Sequence, residues 1–273
     1  MALAEVRRGA GLKDRHFSDT AGLRKHRLDP SDKFMHYDGK GRWSGCQSDG
    51  TVASEVDAEI NYLVDGRGNP WDKININTQV ATYPFPAPGT TGTDLAVCNQ
   101  TSAQGAEYCP GGNTSMSPLA FTIGTHAFFM KFQIKVEDVG GVDLWCGFHT
   151  TAQAMQAIPT AYDDYFTIFY DGTAGTAAST TKTQTDVNNG GPITTNMSIA
   201  IADGAVLKGT LTCDLGGNVK YTFDSAIDSD AVAYQATSGD IFVPFIAYIN
   251  TADVVGYVDL QELTVGLLDA NVR

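Results

Sequence analysis

The sequence predicts an all-β protein: a two-sheet antiparallel β-sandwich with an extended N-terminal arm and long loops. Three observations carry this. Charged residues make up only 18% of the 273 positions, 29 glycines accompany abundant Thr, Ser and Asn, and no long Leu/Glu/Lys/Ala-rich stretch is present. From Leu119 onward apolar residues recur at every second position. Turn residues separate these runs, with no amphipathic helical pattern between them.

The strands follow in order. In "FFMKFQIKV", Phe128, Met130, Phe132, Ile134 and Val136 share one face, and Lys131, Gln133 and Lys135 take the other. "DLWCGFHT" repeats the pattern, with Leu144, Cys146 and Phe148 inward against Trp145 and His149, and "DDYFTIFYDG" ends at an Asp-Gly turn. "VLKGTLTCDLGGNVKYTFDS" reads as a hairpin: Leu207, Leu211 and Cys213 face in, Gly216-Gly217 turns the chain, and Val219, Tyr221 and Phe223 face in again. "IFVPFIAYIN" and "GYVDLQELTVGLL" add two more strands. Six or seven strands without intervening helices need a second sheet to bury their apolar faces.

Three segments are expected. Residues 119–273 form the sandwich. Residues 43–118 are turn-rich, with short strands such as "EINYLV" and "KININTQVATY", as extra sandwich strands or a small subdomain. The stretch from Pro84 to Pro118 reads as extended loop. Residues 1–42 form a basic arm: ten Lys/Arg face six acids there, whereas the remaining 231 residues hold eight basic and twenty-five acidic side chains. A chain of net charge −13 thus divides into an arm of +4 and a body of −17. The arm's apolar residues are too sparse for a core, and Gly9, Gly11, Gly22 and Pro30 interrupt any long helix. The arm reads either as a solvated terminus or as a segment that orders on an acidic partner, and for the latter its mixture of aromatic, aliphatic and basic residues suits a protein surface better than phosphate alone.

No apolar run approaches the roughly eighteen residues that span a bilayer, and "MALAEVRRGAGLKDRHF" lacks the apolar centre of a secretion signal, so a soluble protein made in a cytoplasm is expected. Five cysteines in that setting favour free thiols. Cys146 and Cys213 are expected as small core residues, and Cys98 and Cys109 bracket a loop and are placed to pair in an oxidising medium.

The run "FFMKFQIKVEDVGGVDLWCGFHT", then "YFTIFYDG", the Gly-Gly hairpin, "FVPFIAYIN" and "VDLQELTVG" resembles the concanavalin A-like (lectin/glucanase) sandwich, in the versions found in tailed-phage virion proteins. The resemblance covers about residues 119–268. It implies a jelly-roll-like sandwich that either binds sugars or serves as a structural module on a virus particle.

Within that resemblance, Glu55-Val-Asp57-Ala-Glu59 is similar to the Glu-x-Asp-x-Glu strand of laminarinase-like retaining glucanases. The likeness implies Glu55 as nucleophile, Glu59 as general acid/base and Asp57 between them. A retaining site needs its carboxyls about 5–5.5 Å apart, whereas positions four apart on a flat strand are separated by about 13 Å. The motif is followed here by "INYLVDG", and only the arm and about a dozen residues precede it. The expectation is therefore that the chain is not an enzyme. Trp43, Trp71 and Tyr37 offer either a platform for a sugar ring or staples holding the loops to the core. Asp163-Asp164, near Asp138 and Asp143 in sequence, offer carboxylates for Ca²⁺, but two adjacent acids fall short of the about six to eight oxygens it takes and read as a solvated loop; His126 and His149 have no Cys or His at metal-ligand spacing, so neither metal nor cofactor is expected.

The charge division favours a virion structural protein, a capsid cement or decoration protein on the outer surface of a phage head. The shell-binding arm residues are Arg7, Arg8, Lys13, Arg15, Arg24, Lys25, Arg27 and Lys33, and the partner is a major capsid protein. Attachment at a threefold position implies a homotrimer. The alternative is a carbohydrate-binding lectin-like module or laminarinase-like glycoside hydrolase, with a cell-surface glycan as ligand. Neither membrane nor nucleic acid is an expected partner, because the acidic body repels a duplex.

Overall fold

The computed structural model describes residues 34–37, 71–76, 85–86, 93–95, 102–151, 159–175, 177, 181–223, 226–228, 234–252 and 258–268. Among them lie sixteen strands, three 3₁₀ turns (Val139–Gly141, Pro159–Ala161 and Gly172–Ala174) and no α-helix. The strands form two sheets.

Sheet I runs β14 (Ala226–Asp228), β13 (Val219–Phe223), β12 (Val206–Cys213), β7 (Phe128–Val136), β16 (Val258–Leu267), β4 (Thr93–Asp94) and β3 (Phe85–Pro86). β1 (Phe34–Tyr37) also pairs with β16. Sheet II runs β11 (Ile193–Asn196), β10 (Thr181–Asp186), β9 (Tyr165–Tyr170), β8 (Val142–Thr150), β15 (Ile241–Asn250), β5 (Gly105–Cys109) and β2 (Asp72–Ile76), with β6 (Phe121–Thr122) on β15. Every pairing is antiparallel.

The alternation on β7 is realised residue by residue: Phe128, Met130, Phe132, Ile134 and Val136 are buried, and Lys131 is exposed. The hairpin β12–β13 forms as its sequence predicts, with Leu207, Leu211, Cys213, Val219, Tyr221 and Phe223 all buried. Gly217 takes φ +80° in its turn, a conformation that costs glycine nothing. Gly209 lies inward on β12, where the Phe132 ring occupies the room a side chain would need. The facing sheets interlock through aromatic rings: Phe128 of sheet I lies 4.8 Å from Phe148 of sheet II, and Phe223 of sheet I lies 5.8 Å from Tyr170 of sheet II. One continuous core joins the two inner faces.

Three expectations are corrected here. The stretch from Pro84 to Pro118 is not all loop: β3, β4 and β5 lie in it and add to both sheets. All five residues of β5 are buried, Glu107 included, so no solvated face sets it apart along the chain. Phe34–Tyr37, counted with the basic arm, is a strand paired along β16 from Leu263 to Gly266. β8 is not a half-solvated strand: every residue from Leu144 to Thr150 is buried, so both faces of sheet II are covered there.

Pro244 stands in a central strand, a position that normally needs its N–H. The edge of β15 away from β8 is held by β6 at Ile241–Phe242 and by β5 from Ile246, leaving a gap at Pro244. A residue without a donor is tolerated there.

Candidate functional site

The second face of sheet II, turned away from the main core, is where the sequence departs from a solvated surface. Trp145, Phe169, Phe245, Ala247 and Cys109 form a separate buried cluster on it. Trp145 stacks on Phe169 at 4.7 Å, and its indole N–H donates to Gln184 Oε1 at 2.8 Å. The polar group that burial would have stranded is thereby satisfied.

Cys109 also belongs to a group of three chemically active side chains, all buried: Glu107 and Cys109 on β5, and His149 on β8. Alternation on β5 sends Ala106 and Tyr108 into the core, and Glu107 and Cys109 to the opposite face. His149 follows Phe148 on β8 and reaches across β15 to meet them. Its Nε2 stands 3.4 Å from Cys109 Sγ and 3.6 Å from Glu107 Oε1, and Cys109 Sγ is 3.7 Å from the same carboxylate oxygen. Tyr162, just past the Pro159–Ala161 turn, stacks its ring on the imidazole at 3.9 Å and donates its hydroxyl to Glu107 Oε1 at 2.5 Å. His149 Nδ1 lies 2.8 Å from the Thr150 carbonyl. A carbonyl only accepts, so Nδ1 carries the proton and Nε2 presents its lone pair to Cys109 and Glu107.

Burial sets the charge of this group. It pushes the Glu107 carboxyl up to about 8, against the bonds from Tyr162 and Cys109. It pulls His149 down to about 4, opposed by the Thr150 carbonyl. It raises the Cys109 thiol far above its usual value, and a charge on Glu107 raises it further. The Glu107–His149 separation is that of an ion pair, yet both groups are shut from water and neutral near pH 7, so desolvation outweighs proximity. A cysteine nucleophile needs a thiolate with an imidazolium or base beside it in a reachable pocket. Here the proton stays on sulfur, and the site is closed.

The outer face of sheet I has the opposite character. Lys131 and Lys135 on β7, Lys208 on β12 and Lys220 on β13 all lie on it, four of the eight Lys/Arg that follow residue 42. Register sets Lys131 opposite Thr210, Lys208 opposite Gln133, and Lys220 opposite Thr212. Lys131 lies 3.8 Å from Glu262, an exposed pair that contributes little. A cleft of about 260 Å³ opens among Lys131, Gln133, Lys208, Thr210 and Thr222.

Glu55, Asp57, Glu59 and Trp43, and the arm residues Arg7, Arg8, Lys13, Arg15, Arg24, Lys25, Arg27 and Lys33, lie outside the described residues. Tyr37 ends β1. Trp71 is 2% exposed and belongs to the core, so it staples the chain and offers no platform to a sugar. Cys109 is a free thiol packed against His149 and forms no bond to Cys98, itself outside the described residues. His149 had no partner at metal-ligand spacing along the chain. The partners are forty-two and forty residues away, on a strand two places across the sheet. The signal that would have found them is Glu-x-Cys on one short strand, together with a histidine on a strand lacking a solvated face.

No family model and no curated protein matches this chain. Solved structures similar to it include the carbohydrate recognition domain of Emp47p, at 13% identity and TM-score 0.46, over 72% of this chain and 88% of that one. Peanut lectin is similar at 14% identity and TM-score 0.42, over 73% and 99%. A protein of unknown function from Shewanella oneidensis is similar at 7% identity and TM-score 0.49, over 86% and 85%. These are likenesses of fold. No helix among the described residues is long and apolar enough to cross a membrane.

Proposed function

We propose that the chain is a structural protein of a virus particle, a decoration or cement protein that binds the acidic outer surface of a capsid shell. The observation that carries this is where the positive charge goes. β1, within the ten-cation arm, is bound into sheet I, and sheet I exposes Lys131, Lys208 and Lys220 on its outer face, with Glu262 beside Lys131 and Asp259 opposite the half-buried Lys135. A chain of net charge −13 thus presents cations along one side, which steers it onto a negative partner and away from copies in the wrong orientation. The partner is the major capsid protein, and attachment at a threefold position makes the bound form a homotrimer. The closed, neutral cluster on sheet II supports a non-catalytic role.

Co-sedimentation with intact particles tests this. Deleting residues 1–33, and separately replacing Lys131, Lys208 and Lys220 by Glu, should each release the protein from particles, and added salt should weaken the wild-type attachment. Undiminished co-sedimentation of both variants overturns the proposal.

The alternative, a carbohydrate-binding module, draws on the cleft at Lys131, Gln133, Lys208, Thr210 and Thr222, whose amide, hydroxyl and ammonium groups suit the hydroxyls and carboxylates of an acidic glycan. Glycan-array binding lost on Lys208→Glu, and kept on deletion of residues 1–33, would favour it over the capsid role.

A further inference from the structure

We propose that Glu107, Cys109 and His149 hold a tetrahedral zinc-class dication, as a structural centre on the second face of sheet II. Three observations converge on it. First, the donor atoms already stand at the corners of such a site. Bond lengths of about 2.3 Å for Zn–S and about 2.0–2.2 Å for Zn–N and Zn–O, opened at tetrahedral angles, set S···N, N···O and S···O at about 3.6, 3.4 and 3.6 Å. The corresponding separations here are 3.4, 3.6 and 3.7 Å, each within about 0.2 Å of that geometry. The three edges are short enough for one ion to touch all three donors with little movement of the side chains.

Second, the imidazole is fixed for coordination. Its Nδ1–H is given to the Thr150 carbonyl, which leaves Nε2 as the lone pair, and Tyr162 and Phe245 hold the ring by stacking and by edge contact. Ligating histidines are held in this way by a partner on the far nitrogen. Third, Glu107 Oε2 is buried without a hydrogen-bond partner among the described residues. An unused carboxylate oxygen in a closed site is costly; a dication bound through Oε1 of the same group offsets that cost, and a water taken in with the ion fills the fourth corner.

Charge and softness agree on the ion. One thiolate and one carboxylate neutralise a dication, and neutrality is what a site closed to water requires. The mixed S, N, O set suits zinc or cobalt, whereas magnesium and calcium take six or more oxygens. On loading, the Cys109 S–H bond breaks, the sulfur keeps its electron pair for the metal, and the proton passes to water; any proton on Glu107 leaves in the same way. No oxidation state changes. The closed site takes its ion while the strands assemble, so the metal acts as a pin between β5 and β8.

The test uses the full chain, unfolded in chelator and refolded with one equivalent of Co²⁺ or Zn²⁺. The expected result is about one metal ion per chain after gel filtration, with the cobalt form showing a thiolate-to-cobalt charge-transfer band and the intense visible absorption of a tetrahedral site. Cys109→Ala should abolish the charge-transfer band, and Cys213→Ala, on the other sheet, should leave it unchanged. Far-ultraviolet circular dichroism checks that each variant has folded. Should Cys109→Ala fail to fold, the refolded wild type decides alone. Folded wild type carrying less than about a tenth of an equivalent overturns the proposal, as does a charge-transfer band that survives in folded Cys109→Ala.

Discussion

Replacing Asp143 by Asn should stabilise the protein at neutral pH, by an amount that grows with pH. Asp143 lies on β8, and its carboxylate accepts the Gly172 N–H at 2.7 Å. Burial pushes it from 3.8 up to about 6; the Gly172 bond opposes this, the Asp171 charge adds to it, and Lys182 opposes it. In the unfolded chain the group ionises near 3.8, so the folded state holds the proton more tightly. Its contribution to stability is fully present below pH 3.8 and is lost as pH rises through 6. Asn keeps the shape and the acceptor for Gly172 without the charge. A rise from 3.8 to about 6 corresponds to about 3 kcal/mol at most, reduced by water at the carboxylate's open edge. Urea unfolding of both proteins across the pH range should show the difference between them widening in favour of the Asp143→Asn chain, by up to about 3 kcal/mol from about pH 3.5 to about pH 7.5. A difference that stays constant with pH, or an Asp143→Asn protein no more stable than wild type at about pH 7.5, refutes the reasoning.

Two further outcomes follow from the packing. Gly209→Ala would overlap Phe132 Cζ and place its Cβ 2.7 Å from Ile168 Cδ1, so a loss of about 1–3 kcal/mol is expected, read as a lower melting temperature; an unchanged one contradicts the inward placement of Gly209. The thiols of Cys109, Cys146 and Cys213 should resist iodoacetamide at about pH 8 while the protein is folded and react once it is in urea. Burial raises the first two far above their usual value and the third to about 12; native labelling at any of them, located by peptide mapping, contradicts their burial.

Period-two patterning made much of the sandwich legible. Where one face is dry and the other wet, as on β7, β12 and β13, each residue declares its side, and Phe128 through Val136 fell where alternation placed them. Legibility failed where both faces are dry. Gly105–Cys109 has no solvated positions, since even Glu107 is buried, and "DLWCGFHT" gave its inward residues correctly but not the burial of Trp145 and His149. The candidate centre was hidden for the same reason, because its members meet only when β15 lies between β5 and β8. That adjacency is a property of topology, which spacing along the chain does not encode.

Residues 258–267 sit in the middle of sheet I, touching partners drawn from residues 34–37, 93–94 and 128–136. During synthesis, the earlier strands must therefore wait, with their hydrogen-bonding edges open, until residue 267 has left the ribosome. Chains cut short before that point lack the central stave of the sheet.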